Sequence, residues 1–406
     1  MPKIDHKKLA KAAKEKKAAF GEDVDIKSFG KKKSSHAYIR DLSNIKEAEK
    51  ENLLSSGIDL TGKERSGTYL QMDHNVVHCS VKQEGLELMS VDQARDKYSW
   101  FEDYWWKAVK VDADKYTAQA ELEPHFGYFI RAQAGVETIF PLQACLYLGM
   151  QGTSQHVHNV IIAEEGASLH IITGCTVAKN VNVGLHLGVS EFYVKKNAKI
   201  TFTMVHNWAE DVSVRPRTGT IVEENGLFLS NYICMKPVKS LQMYPVSNLV
   251  GPGATARYNT ILVAPPGSNM DVGSKVVLAA PNTKAEVVAR TLTTGGNIIA
   301  RGQLIGEVKP VKAHLECRGL ILKESGMIHA IPELIGKVSG VDLSHEAAVG
   351  KIAQEEIEYL MSRGISREEA TATIVRGFLN VQIEGLPQVL KKEMDGILDT
   401  LEKEAF

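Results

Sequence analysis

The sequence predicts a mainly β protein: a parallel β-helix flanked by an N-terminal and a C-terminal α-helical region. Strand-like runs beginning at Gly166, Asn197, Asn225, Gly253 and Asn282 recur in steps of 31, 28, 28 and 29 residues. A near-constant period with degenerate sequence is the mark of a solenoid, whose repeats share shape rather than residues. Apolar and polar residues alternate from about residue 115, and a helical period returns beyond about residue 343. Each run opens at Gly or Asn, which accept positive φ at little cost. Asn-Gly occurs once, at Asn225, whereas a β-sandwich would show hairpin turn signals every 8–12 residues or so. The expected divisions are an N-terminal helical region (1–112), a β-helix core (113–342) and a C-terminal helical domain (343–406).

Residues 6–20, HKKLAKAAKEKKAAF, read as a basic helix with Leu9, Ala12, Ala13 and Phe20 on its apolar side, and 30–33 as a flexible join. A short helix follows over 45–54. The aromatic cluster Tyr98, Trp100, Phe101, Tyr104, Trp105 and Trp106 predicts a packed element that docks the N-terminal region. Its neighbours Glu102 and Asp103 argue against a nucleic-acid stacking surface, which would interleave basic residues. In the tail, Ile352, Ile357, Leu360 and Met361 form one apolar stripe that ends at Gly364. Ser366 and Glu369 match a capping box for a helix carrying Ala370, Ile374, Phe378 and Leu379, and Pro387 precedes a terminal amphipathic helix.

With 406 residues, 44% hydrophobic and 24% charged, the chain can bury a sizeable core. Its formal charge of −1 gives no global pull toward nucleic acid or an anionic membrane. The charge is uneven, with a net +6 over 1–33 and a net −6 over 341–406, a pattern that solvated helices at both ends explain. No run of about 18 apolar residues predicts a membrane span, and Lys stands where a signal peptide would be apolar. Cys79, Cys145, Cys175, Cys234 and Cys317 are odd in number, widely spread and contain no CxxC pair. That excludes a zinc ribbon or a disulfide framework and predicts a reduced, cytoplasmic protein.

Residues 344–379, SHEAAVGKIAQEEIEYLMSRGISREEATATIVRGFL, together with the strand around Cys317, resemble the C-terminal portion of the SufB/SufD scaffold family of iron–sulfur cluster assembly. Residues 164–175, EEGASLHIITGC, resemble the family's acidic-glycine strand ending in Gly-Cys. Residues 205–208, VHNW, resemble its Val-Gln-Asn-Trp turn, and Arg301-Gly302 the opening of a late coil. The likeness is tightest from Arg301 to Leu379 and covers roughly two thirds of the chain. It implies a right-handed parallel β-helix that pairs with a second SufB- or SufD-type subunit. It further implies C-terminal helices that dock on a SufC-type ATPase of the ABC class, here through Tyr359, Leu360, Met361, Arg363 and Gly364. Cluster assembly is then expected at Cys317, His345 and Glu346, with a transient 4Fe-4S or 2Fe-2S cluster handed to apo iron–sulfur proteins and ATP used only by the partner. Two departures stand out. The family's earlier sulfur-accepting cysteine, placed in the coil after the Asn-Trp turn, aligns with Ile221 or Val222. Its Leu-Glu-His-Glu is Leu343-Ser-His-Glu346. Both fit a minimal, archaeal-type scaffold working as a homodimer.

The chemistry of these residues is consistent with that expectation. Cys317 lies between Glu316 and Arg318, a polar setting in which Arg318 would favour the thiolate. One chain offers only one such thiol, and clusters want several; a two-fold contact would supply two copies of Cys317, His345 and Glu346. His156 and His158 share a strand face and, with His170, form a weak second metal candidate. The ordinary alternative is polar histidines on a solvent-facing strand. His74 and His78 lack the HExxH glutamate, and the glycine-rich turn 293–297 lacks a P-loop lysine. The scaffold is expected to be no enzyme. The rival is a β-helix polysaccharide lyase or hydrolase, needing clustered acids and bases, for which Asp271 and Lys275 are the available members. A structural, SufD-like partner is the third reading.

Overall fold

The structure, a computed structural model, describes residues 4–30 and 35–379. Helix α1 (His6–Ala13) is capped by Asp5, whose carboxylate accepts from Lys8 N. It stops well short of residue 20, and Ala10 and Ala13 pack inward while Leu9 stays exposed. Helix α2 (Glu47–Ser55) falls where the sequence places it. Three strands then appear where only helices were expected: β1 (Gly67–Met72), β2 (Asn75–Val81) and β3 (Leu86–Ser90). They were not legible because their stability comes from strand pairing, β2 on β1, β1 on β5 and β3 on β4, rather than from a strong local alternation. Helices α3 (Val91–Lys97) and α4 (Lys115–Leu122) flank the aromatic cluster.

The first solenoid rungs are β4 (Tyr128–Ala132), β5 (Leu142–Leu148), β6 (Thr153–Ala163), β7 (Ser168–Val177) and β8 (Val183–Val194). They continue as β9 (Lys199–Asn207), β10 (Asp211–Val222), β11 (Leu227–Cys234), β12 (Ser240–Met243), β13 (Val246–Leu249) and β14 (Thr255–Ala264). The last are β15 (Asn269–Leu278), β16 (Thr283–Thr293), β17 (Asn297–Gly306), β18 (Val311–Ile321), β19 (Met327–Gly336) and β20 (Val341–Gly350). Successive strands alternate between two facing sheets, one ordered β2-β1-β5-β7-β9-β11-β14-β16-β18-β20 and the other β19-β17-β15-β12-β10-β8-β6-β4-β3. This is a parallel β-solenoid of about eight turns. Gly166, Asn197, Asn225, Gly253 and Asn282 all have positive φ, between 54° and 73°, at the corner entering β7, β9, β11, β14 and β16. Charges at those corners also match from rung to rung: Lys195 pairs with Glu223 and Lys196 with Glu224, each at 2.9 Å. Inside, Phe192 packs on Phe202 and Phe228 with centroids 4.7 and 5.1 Å apart, forming part of a continuous apolar column.

The aromatic cluster docks the N-terminal region as expected, with Phe101, Trp105 and Trp106 buried against Phe129, Val160, Ile162 and Tyr193. Glu191, fully buried on β8, organises the contact. It accepts from the backbone N–H of Trp106, Ala108 and Val109 at 2.6, 2.6 and 3.0 Å, and from His158 Nε2 at 2.8 Å. A buried carboxylate persists only when so surrounded by donors.

The two ends of the solenoid differ. Antiparallel strands close the first end, β2 on β1 and β3 on β4. At the other end, β19 and β20 are the outermost strands among the described residues, and Met327, Ile335, Val338 and Val349 are exposed. An edge of this kind presents unpaired N–H and C=O groups to a further strand. The helical period expected from residue 343 begins later, since β20 runs to Gly350; pairing with β18 overrides the helix preference of Ala347 and Ala348. Helices α5 (Gln354–Ser362) and α6 (Arg367–Leu379) follow, separated by Gly364 at φ 88°. The capping box is present, with Glu369 N donating to Ser366 Oγ (3.2 Å) and Ser366 N to Glu369 Oε2 (3.3 Å). Val375 and Leu379 of α6, with Phe378, cover an outward apolar patch that includes Val205, Ile233, Ile261 and Leu292. Of the expected join at 30–33, Gly30 forms a bridge to Thr153; residues 31–33 and the helix after Pro387 lie outside the described residues.

Candidate functional site

Strand β18 alternates cleanly. Val311, Ala313, Leu315 and Cys317 belong to the interior column, while His314, Glu316 and Arg318 lie on the outward row. β20 stacks on it in register, with Leu315 opposite His345, Glu316 opposite Glu346 and Cys317 opposite Ala347. Val341 and Leu343 pack on the interior column, so strand alternation puts His345 on that inward row as well. The predicted trio is therefore divided between two faces. Cys317 and His345 are diagonal neighbours on the inward row, where β20 leaves His345 exposed at the open end. Glu346 faces the other way. All three sit on strands; the pair His345–Glu346 does not open a helix as the sequence suggested.

Cys317 differs from expectation in its surroundings. It is 3% exposed, and Arg318 lies on the opposite face, paired with Glu316 at 2.8 Å. Burial, then the charge of Glu316, pushes the thiol up to about 11. Any metal bound there must displace its proton.

The weak second metal candidate resolves into packing. His156 and His158 on β6 are buried beneath the N-terminal region rather than solvent-facing. His156 Nε2 is 3.1 Å from Pro124 O, and its ring lies 4.9 Å from that of His74. His158 stacks on Trp105 at 3.7 Å and bonds Glu191; burial lowers its pKa, so it is held as a neutral donor. His170 is on β7, in the other sheet. Among the described residues one group brings three metal-ligating side chains within 4.8 Å of one another, and it is His314, Glu316 and Glu346. Sequence reasoning missed His314 and Glu316. Their signal was the 30-residue offset that sets Glu316 one rung from Glu346.

A second missed feature is an interior stack. Cys175, His206 and Cys234 occupy the same register position on β7, β9 and β11. His206 and Tyr232 Oη bond at 2.8 Å through the ring Nδ1, while burial raises Cys234 to about 12 and drives His206 well below its usual value. These are neutral groups in an apolar interior.

The tail residues predicted to meet a partner are available. Tyr359 and Met361 on α5 are 59% and 41% exposed, and Arg363 reaches back one turn to stack on Tyr359, 5.3 Å from its ring centre. The acids of the lyase reading do not converge: both carboxylate oxygens of Asp271 are taken by Arg301, at 2.6 and 3.0 Å.

A parallel β-solenoid, closed by antiparallel strands at one end, carries a thiol, an imidazole and carboxylates on the last described rungs at the other. Residues 146–378 match the family model "SUF system FeS cluster assembly, SufBD core domain". Relatives named as iron–sulfur cluster assembly SufBD family proteins include one from Methanothermobacter thermautotrophicus strain Delta H, 46% identical over 97% of this chain and 98% of its own length. One from Archaeoglobus fulgidus is 50% identical over 88% of this chain and 96% of its own. One from Pyrococcus horikoshii is 30% identical over 82% and 76%. The chain belongs to the SufBD family of iron–sulfur cluster assembly proteins, and the similarity extends well into the N-terminal region.

Proposed function

We propose that this chain is a non-enzymatic scaffold on which an iron–sulfur cluster is built and from which it is passed to apo acceptor proteins. The observation that carries the reading is the place of Cys317 and His345, together on the inward row of the last rungs, where β19 and β20 are the outermost strands among the described residues. A second copy meeting this end about a two-fold axis would bring two thiols and two imidazoles to one interface. Thiolate binds iron strongly, and imidazole completes its coordination while holding the cluster weakly enough to release it. Exposed edge strands and Met327, Ile335 and Val349 suit such a contact.

A SufC-type ATPase would dock on α5, with Tyr359 and Met361 as apolar anchors and Leu360, Arg363 and Gly364 shaping the helix end. Closure of two ATPase subunits would pull on α5 and α6 and so act on the solenoid face that α6 covers. ATP is bound and hydrolysed by that partner alone.

The test is anaerobic reconstitution with iron and sulfide of the chain co-purified with such an ATPase, comparing wild type and Cys317→Ser. A cluster lost in the variant supports the reading. An equal iron and sulfide content in both overturns it. Retained ATPase binding by a Tyr359→Ala, Met361→Glu double variant would overturn the docking assignment.

A further inference from the structure

The outward row of the last two rungs holds a second group of ligands, separate from the thiol. His314, Glu316 and Glu346 place one ligand atom each within 4.8 Å of one another. Register is the cause: Glu316 lies directly opposite Glu346, and His314 opposite Ser344, whose hydroxyl is 2.9 Å from its Nδ1 and steadies the ring. Like charges set opposite each other on neighbouring strands repel. Glu316 is compensated by Arg290 and by Arg318. Glu346, among the described residues, has no cation within ion-pair distance. A carboxylate pair with one member uncompensated, beside an imidazole, is a place where a divalent cation relieves repulsion.

We propose that His314, Glu316 and Glu346 form a loading site for a divalent transition-metal ion, masked by Arg290. One imidazole and two carboxylates form a borderline-to-hard donor set that suits Fe2+, Mn2+, Co2+ or Zn2+ and disfavours Cu+. Around such an ion the donors close to about 3 Å from each other, a movement within reach of the exposed Glu346 side chain on the edge strand β20. Iron as the physiological ion rests on the scaffold reading; the site itself does not.

The mask is built into the fold. Arg318 is half exposed and can swing into solvent, whereas Arg290 is largely buried and bonds Glu316 from the neighbouring strand β16. The Arg290 guanidinium also lies 6.0 Å from the ring centre of Phe378 on α6. The position of α6 therefore bears on whether Glu316 is held by an arginine or free for a metal. This places ion loading on the outward face and the thiol on the inward face of the same strand, with Glu316 and Cys317 adjacent in the chain.

The experiment is a sulfide-free anaerobic titration of the full chain with Co2+, read by its absorption bands, and competition with Fe2+. Wild type should bind one ion per chain without a thiolate-to-cobalt band. Glu316→Gln and Glu346→Gln should each weaken binding by at least about tenfold, Cys317→Ser should leave it unchanged, and Arg290→Gln should tighten it severalfold. Glu346 is exposed, so its variant tests the site without threatening the fold; thermal melts of all variants check this. A thiolate band that vanishes in Cys317→Ser, binding indifferent to Glu346→Gln, or no tightening in Arg290→Gln overturns the proposal. Failure of cluster reconstitution in Cys317→Ser tests the scaffold reading separately, because the titration contains no sulfide.

Discussion

Cys317 lies opposite Ala347 across the β18–β20 ladder, which makes His345, two residues earlier, its diagonal neighbour on the inward row. Glu346, adjacent to His345 in the chain, belongs to the outward row with Glu316. Strand alternation thus puts the thiol and the imidazole on one face and the two carboxylates on the other, across the thickness of one strand.

The open end is expected to self-associate. Val349→Lys on β20 places a charge on an exposed apolar position at the edge and should shift the chain from dimer to monomer in sedimentation velocity without lowering its melting temperature. A wild-type chain that remains monomeric at high micromolar concentration, alone and with a SufC-type ATPase, would sink the end-to-end arrangement.

Removing the buried carboxylate of Glu191 should be among the costliest single changes. Glu191→Ala orphans the N–H groups of Trp106, Ala108 and Val109 and the Nε2–H of His158. Leaving buried donors unsatisfied costs about 1–3 kcal/mol each, so the loss should reach several kcal/mol. Urea denaturation should show that loss, with tryptophan emission from Trp105 and Trp106 moving to the red in the native baseline. A change under about 1 kcal/mol would contradict the role assigned to Glu191.

Acid should destabilise the solenoid before it protonates most carboxylates. His186 is buried in the interior with its Nδ1 2.8 Å from Gln155 Oε1, and burial lowers its pKa from 6.5 to about 3. Between those values the unfolded chain binds the proton that the folded chain refuses. Stability is therefore complete above pH 6.5 and falls as pH drops toward 3. The slope is up to ~1.4 kcal/mol per pH unit from this group, and His206 and His158 add in the same direction. His186→Gln should flatten the urea midpoint between pH 6 and 4 by about that amount; an unchanged slope would contradict it.

The corners can be tested one at a time. Asn282 has φ 62°, so Asn282→Val should cost about 1–2 kcal/mol or more while Asn282→Gly stays within roughly 0.5 kcal/mol of wild type. Equal tolerance of both in guanidinium denaturation would mean the corner is not left-handed.

The corner residues were legible in sequence because the requirement is local: only Gly and Asn enter positive φ cheaply, and five of them stand one rung apart. The capping box of α6 and the aromatic cluster were legible for similar reasons, as spacing and composition within a few residues. Cys317, His345 and Glu346 were found through resemblance, and their surroundings were misjudged. Arg318 follows Cys317 in the chain yet points to the opposite face, so it cannot favour the thiolate in the way adjacency suggested. The histidines of β6 were read as surface residues because nothing near them in sequence announces that Trp105 and Glu191 will cover them.

What the amino-acid sequence determined by itself was the period, the corners and the helices at both ends, all set by short-range geometry. What only the tertiary structure decided was which of the candidate residues share a face. Stacking one rung on the next sets Glu316 against Glu346 from 30 positions away and makes β20 the outermost strand of its sheet among the described residues. That register depends on the packing of the whole interior column, a sum of contacts between residues distant in the chain.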